Sequence, residues 1–169
     1  ASGDISSPIH ASVSGTVRSI VPRPTVSGKQ IPSIVIENDG EYEEYPIPPV
    51  RPWTELEPGE RLRSIREAGI VGLGGAGFPT HVKLAVRNPK RIRYVIVNGT
   101  ECEPYMTSDY RRMVEEPERL VEGLRIVLSL FERAIGIFAL GDSKRDAIAG
   151  LELATMEELR WEVRVLETK

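Results

Sequence analysis

Four glycines in six residues, Gly72-Leu73-Gly74-Gly75-Ala76-Gly77, followed by Phe78-Pro79-Thr80-His81-Val82-Lys83, constrain this chain more than any other feature. Glycine leaves no side chain between the backbone and whatever approaches it, and it permits positive φ. Such density has no use in packing. A short amphipathic stretch (Val82, Ala85, Val86) comes next, which places the loop at a helix N-terminus, where unpaired N–H groups and the helix dipole favour an anion. Lys83 adds a positive charge one turn in. The run Gly72, Gly74, Gly75 and Gly77 therefore reads as a cradle for a phosphate-bearing cofactor. Gly72, Gly74 and Gly77 satisfy G-x-G-x-x-G, but a dinucleotide fingerprint needs a good strand before it and a long helix after it. Here only Ala68-Gly69-Ile70-Val71 precedes, Pro79 interrupts the stretch on the other side, and no Gly-Lys-Ser/Thr closes a Walker-type loop. A ligand-free glycine hinge is the alternative, and Phe78, Pro79 and Lys83 at fixed offsets argue against it.

The rest of the chain reads as three segments. Residues 1–45 carry short β-type runs, Ser12 to Ile20 and Ser33 to Glu37, with a turn signal at Asn38-Asp39-Gly40. Their A-x-V-S-G-T-V pattern is similar to lipoyl and biotinyl carrier domains, but Lys29 lacks the acidic or methionine neighbours of an attachment site. A small β segment packed on the second domain is the preferred reading. Residues 46–59 hold five prolines and read as an extended linker, with Trp53 as its packing anchor. Residues 60–169 alternate helix and strand. Helices are expected at 61–68, 80–87, 117–131 and 142–160, and strands at 93–97, 134–140 and 161–166. Asp142 or Ser143 is expected to cap the helix after 141, with Ser143-x-x-Asp146 as a capping box and Leu159 on its buried face. The fold class is α/β: a small β segment, then an open, mainly parallel, Rossmann-like sheet.

Composition narrows the function. The 40% hydrophobic, 28% charged chain is globular, and its net charge of −3 argues against a nucleic-acid-binding surface. No stretch reaches the roughly 20 apolar residues that span a bilayer, and no basic–apolar signal peptide opens the chain. Membrane association would come through partners. The single cysteine, Cys102, excludes an internal disulfide framework, fits a reducing compartment, and has no resolving partner. His10 and His81 are far apart with no ligand-type neighbours, so no metal site is expected. The chain begins with Ala1 and stops at Lys169 with no closing element after its last strand, and reads as part of a longer protein.

A second motif comes after the strongest strand: Asn98-Gly99-Thr100-Glu101-Cys102-Glu103-Pro104-Tyr105. Ligands of open α/β sheets collect at the carboxyl ends of the strands, where this turn lies. With GLGGAGFPTHVK, the VNGTECEPY run resembles the C subunit of the Rnf electron-transport complex. It is more distantly similar to the flavin-bearing, NADH-binding subunit of respiratory complex I. The resemblance spans nearly the whole chain and implies a barrel-sandwich segment followed by the start of a flavin–nucleotide domain. It implies FMN and NADH as cofactors, with four-iron–four-sulfur clusters held outside this chain, since one cysteine cannot hold one. The partners implied are the other subunits of a membrane complex and a ferredoxin-type carrier, and the place is peripheral, on the cytoplasmic face of the cell membrane. Carried over residue by residue, Asn98 matches a flavin-contacting Asn, Glu103 a Glu near the NADH site, and Phe78 an aromatic that stacks on the nucleotide. Glu101 joins this set, and Thr100 stands where complex I relatives have Asp. No acid–base residue is needed, because hydride transfer is the cofactors' chemistry. The leading expectation is an NADH-oxidising, FMN-linked electron-input module of an ion-translocating complex, the 169 residues alone being inactive. A flavin subunit of a soluble diaphorase or hydrogenase and a non-catalytic assembly module are the alternatives.

Overall fold

The computed structural model describes residue 3 and residues 5–45, 51–73, 76–157 and 160–167. Gly74, Gly75, Leu159 and part of the proline-rich linker (46–50) lie outside the described residues. The N-terminal segment is a hairpin of β1 (Gly15–Pro24) and antiparallel β2 (Gln30–Asn38). Both strands run longer than expected because the turn falls at Thr25–Gly28, where the Gly28 N–H donates to the Thr25 carbonyl at 2.8 Å. Pro22 sits opposite Pro32; in a two-stranded ribbon every residue is at an edge, which tolerates proline. Gly15 (φ +141) has no substitute, since a Cβ there would lie 2.0 Å from the Glu37 carbonyl oxygen.

The linker ends in a single 3-10 turn, Trp53–Glu55, and runs directly into α1 (Pro58–Glu67). This helix starts three residues earlier than the spacing of Leu62 and Ile65 suggests. Pro58 suits its first position, and Glu57 and Glu60 close a reciprocal capping box. Trp53 anchors the turn: its Nε1–H donates to Glu122 Oε1 at 2.6 Å. Arg61 lies 5.9 Å from the centre of the Trp53 ring and donates to the Trp53 and Ser129 carbonyls.

After the glycine loop come α2 (Thr80–Leu84), β3 (Tyr94–Asn98), α3 (Ser108–Glu115), α4 (Pro117–Leu128), β4 (Ile135–Gly141), α5 (Arg145–Thr155) and β5 (Trp161–Leu166). The three strands form a parallel sheet in chain order, β3-β4-β5. Helix α3 was not expected. Its apolar positions Tyr110, Met113 and Val114 are few, and only Met113 is buried. Helix α5 is shorter than expected and is not capped by Asp142 or Ser143: its N-cap is Lys144, with no side-chain cap bond. The reason is that the Asp142 N–H extends the sheet by donating to Leu166 at 3.0 Å, so the turn, and the helix start, move on.

The core lies between the sheet and α3, α4 and α5. Val121, Leu124, Leu128 and Phe131 meet Phe138, Leu140, Ala147 and Leu151, and β4 is buried from Gly136 to Gly141. On the opposite face of the sheet Tyr94 and Ile96 stay more than half exposed. Phe138 is 1% exposed, with its ring 6.1 Å from that of Trp161. Phe138→Ala would leave a cavity under the central strand and is expected to lower unfolding stability by about 3–5 kcal/mol in a urea titration.

Candidate functional site

The glycine loop is pinched shut at its base. Val71 and Pro79 form an antiparallel bridge, the Gly72 N–H donates to the Phe78 carbonyl at 2.9 Å, and the Thr80 N–H donates to Ile70 at 3.1 Å. Within this ring Gly77 takes φ +60, and a Cβ added to it would meet nothing within 4 Å. The described part of the loop thus turns bare backbone toward open space, as an approaching cofactor requires. Phe78 is 44% exposed while Pro79 is buried. Helix α2 has only five residues, too few for a strong dipole, so anion attraction falls to the loop's N–H groups and to exposed Lys83. His81 Nδ1 is buried without a hydrogen-bond partner among the described residues. Leu84 and Val86, just past Lys83, pack on the core and fix where the loop stands.

The acidic turn leaves the carboxyl end of β3. Its root is Gly99, whose N–H donates to the Ala139 carbonyl at 2.8 Å; a Cβ there would lie 2.8 Å from Met113 Sδ and 3.2 Å from Leu140 Cγ. Asn98 Oδ1 accepts from the Thr100 N–H (3.1 Å) and hydroxyl (2.7 Å), which rigidifies the turn and leaves the Asn98 amide N–H₂ as the group to offer a ligand.

Glu101 departs from its two neighbours. Its backbone is at φ +38 and its side chain only 2% exposed. The carboxylate accepts from the N–H groups of Asp109 (2.8 Å) and Tyr110 (3.0 Å) at the start of α3, and lies 3.7 Å from Lys144 Nζ. The Lys144 ammonium is also 5.3 Å from the centre of the Tyr110 ring. Burial alone would raise the Glu101 pKa, but the two N–H donors and Lys144 outweigh it and hold the carboxyl below its usual range. Glu101 is thus already committed to α3 and α5. Glu103 and Cys102 are exposed on the same turn, and the Glu103 carbonyl accepts from Met106 at 3.2 Å.

The sequence-derived candidates therefore form two groups rooted in one core: Gly72, Gly77, Phe78 and Lys83 in one, Asn98, Glu101 and Glu103 in the other. Among the described residues no hydrogen bond joins the two groups, and no cluster of three His, Cys, Asp or Glu gathers to hold a metal. Sequence reasoning missed Lys144 as the partner of Glu101. It also missed residues 5–10, which line a groove of about 640 Å³ together with Gly69, Val71 and residues 76–79. The only signal for the latter was Gly69, read as a helix stop alone. Among the described residues, the open backbone at Gly77, an Asn98 amide N–H₂ that makes no hydrogen bond and the exposed Lys83 leave donors and a positive charge for an anionic ligand.

Two known families cover this chain in succession. Residues 65–169 match the family described as the Nuo51 FMN-binding domain, and residues 1–41 the RnfC barrel sandwich hybrid domain. The chain is 42% identical to the C subunit of the Na(+)-translocating ferredoxin:NAD(+) oxidoreductase complex of Acetobacterium woodii, over 99% of this chain and 38% of that protein. The proton-translocating counterpart of Clostridium ljungdahlii is also 42% identical, over 98% and 36%. The chain thus spans little more than a third of these relatives. Among solved structures, an NAD+-reducing [NiFe]-hydrogenase in the H2-reduced state aligns with a TM-score of 0.55 and 26% identity, over 64% of this chain and 21% of that one.

The depressed Glu101 pKa gives a pH dependence. Its contribution is complete above the ordinary carboxylate range and is lost as pH falls through the lower, folded-state value. Acidification is expected to lower the protection factors of the Asp109 and Tyr110 amides, taken against the intrinsic exchange rate at each pH, before those of the core amides of β4. Glu101→Ala is expected to produce the same local opening at neutral pH, read by amide exchange in NMR spectra.

Proposed function

The chain belongs to the Nuo51 FMN-binding domain family and carries the barrel sandwich segment of Rnf C subunits ahead of that domain, and on that premise we propose that it oxidises NADH through FMN as the electron-input part of an ion-translocating complex. The single observation that carries this reading is the pinched glycine loop with open space at Gly77, in a chain 42% identical to two ferredoxin:NAD(+) oxidoreductase C subunits. FMN, when bound, accepts a hydride and releases its electrons one at a time. The residues here bind and orient. The Gly72–Gly77 backbone, with Gly74 and Gly75, receives the phosphate, assisted by Lys83. Asn98 donates its amide to the flavin edge, Phe78 stacks on the nucleotide, and Glu103 accepts hydrogen bonds from NADH. Glu101 contributes through position, by holding the turn that carries Asn98 and Glu103.

Iron–sulfur clusters held outside these residues would take up the electrons, with the other subunits and a ferredoxin-type carrier as partners. Placement is peripheral, at the cytoplasmic face of the cell membrane, and among the described residues no helix is long and apolar enough to cross it. The hydrogenase likeness favours a second reading, the flavin subunit of a soluble enzyme. The N-terminal segment and the higher identity to Rnf C subunits weigh against it.

Two substitutions in the full-length protein test the division of roles. Glu103→Gln is expected to raise the Michaelis constant for NADH about tenfold to a hundredfold with flavin retained, the loss of one charged hydrogen bond. Asn98→Ala is expected to lower flavin content first, read from the flavin absorbance per protein. Unchanged values in both variants would remove both residues from the cofactor site. The 169-residue chain alone is expected to purify colourless, and a stoichiometric flavin spectrum would refute that.

A further inference from the structure

We propose that the amino-terminal edge of the parallel sheet is a docking surface for anionic phospholipid headgroups. The proposal rests on the peripheral membrane placement above and adds to it the face that meets the bilayer. Lys90, Arg91, Arg93 and Arg133 surround an open pocket of about 640 Å³, and Tyr94 and Ile135 complete its lining. Among the described residues no carboxylate lines it.

Two anchored turns hold these cations. Residues 89–91 form a 3-10 turn, in which the Arg91 N–H donates to Asn88 at 3.0 Å and the Ile92 N–H to Pro89 at 3.1 Å. Ile92 packs on the core, which leaves Lys90, Arg91 and Arg93 outside. Before β4 the buried Ala134 donates to Phe131 at 3.2 Å, with Arg133 exposed beside it. The Ile135 N–H then joins the two turns by donating to the Arg93 carbonyl at 2.9 Å. Elsewhere Arg18, Arg51, Arg111 and Arg112 each lie against a carboxylate. The four cations of this edge have no ion-pair partner among the described residues. Four like charges on one rim repel one another, and an anion seated between them relieves that repulsion.

The lining is amphiphilic, and that chooses the ligand. Tyr94 and Ile135 are register partners on β3 and β4 and stay 56% and 39% exposed. Three of the four cations are arginines, whose planar forks match phosphate oxygens bidentately. A soluble phosphate would use only the charged part of this lining. A phospholipid uses both parts. Its headgroup meets the guanidinium groups, and its glycerol region lies against tyrosine and isoleucine, as side chains do at a membrane interface. The strand that opens at Tyr94 closes at Asn98, so docking at this edge turns the acidic turn away from the bilayer.

The test is co-sedimentation of the full-length protein with vesicles of phosphatidylcholine alone and of an equal mixture of phosphatidylcholine and phosphatidylglycerol. Wild type is compared with the double variant Arg91→Gln, Arg133→Gln and with a control, Arg23→Gln, Lys29→Gln, which removes the same charge from exposed positions of the hairpin. Wild type is expected to bind the mixed vesicles only, and to lose them as salt rises from about 0.1 to about 1 M. The sheet-edge variant is expected to bind about twenty-five-fold more weakly, about fivefold for each cation removed. The control should bind as wild type, and flavin content should be unchanged in both. Equal weakening in the two variants would assign binding to net charge and overturn the docking surface. Wild-type vesicle binding by the sheet-edge variant, with loss of its co-purifying membrane subunits, would give the patch to an acidic protein face and overturn the lipid assignment. Calorimetric binding of inorganic phosphate without vesicle binding would overturn it in favour of a soluble anion. A full-length protein that ignores the vesicles but still sediments with cell membranes would overturn this proposal alone. One that stays out of both fractions would refute the peripheral placement, and the docking surface with it.

Discussion

Everything in the α/β unit depends on how closely α4 can approach the central strand. A Cβ on Gly136 would stand 2.9 Å from the terminal methyls of both Leu124 and Leu128, so that strand residue must stay bare for the helix to seat. Once it seats, Phe138 and Leu140 enter the same layer as Val121 and Leu151, and apolar area is removed from water on the helix-covered face of β4. Gly99 repeats the arrangement at the end of β3, under Met113 and Leu140. These two bare positions set the height of the sheet under its helices, and so the height of the acidic turn.

That turn shows how a buried charge can hold a surface loop in place. Glu101 adopts a backbone conformation uncommon for its residue type, and the strain is offset by two amide donors and the Lys144 ammonium. The network ties the turn after β3 to α3 and to the start of α5, three elements distant in sequence. With Glu101 drawn inward, Glu103 two residues on faces outward and keeps its carboxylate available.

Much of this was legible in the chain. Leu120, Leu124 and Leu128 announced α4 by their spacing, although the helix stops at Leu128 and not at the expected Phe131, and the apolar run 134–140 announced a buried strand, because helix and strand periods differ and burial enforces them. The glycine loop was legible because so many bare residues have no packing use. The features that escaped notice depended on partners far along the chain. Nothing near Glu101 signals that Lys144 will face it, and Asp142 looks like a helix cap until Leu166 is seen to claim its N–H. The seating of residues 8–10 was invisible for the same reason: Pro8 and His10 acquire meaning only against Glu67 and Gly69, about sixty residues away.

Strand order has a consequence for how the molecule is made. Because β3, β4 and β5 lie side by side in the order in which they are written, each strand leaving the ribosome finds its neighbour already in place. The helices between them, α3 and α4 before β4 and α5 before β5, need only to fold back over the pair. Among the described residues no strand is inserted between two earlier ones, which keeps each pairing between strands adjacent in the chain and the entropic cost of closure low. Sheet growth can then keep pace with translation, and the long apolar strand β4 is never left without a ready edge to pair with.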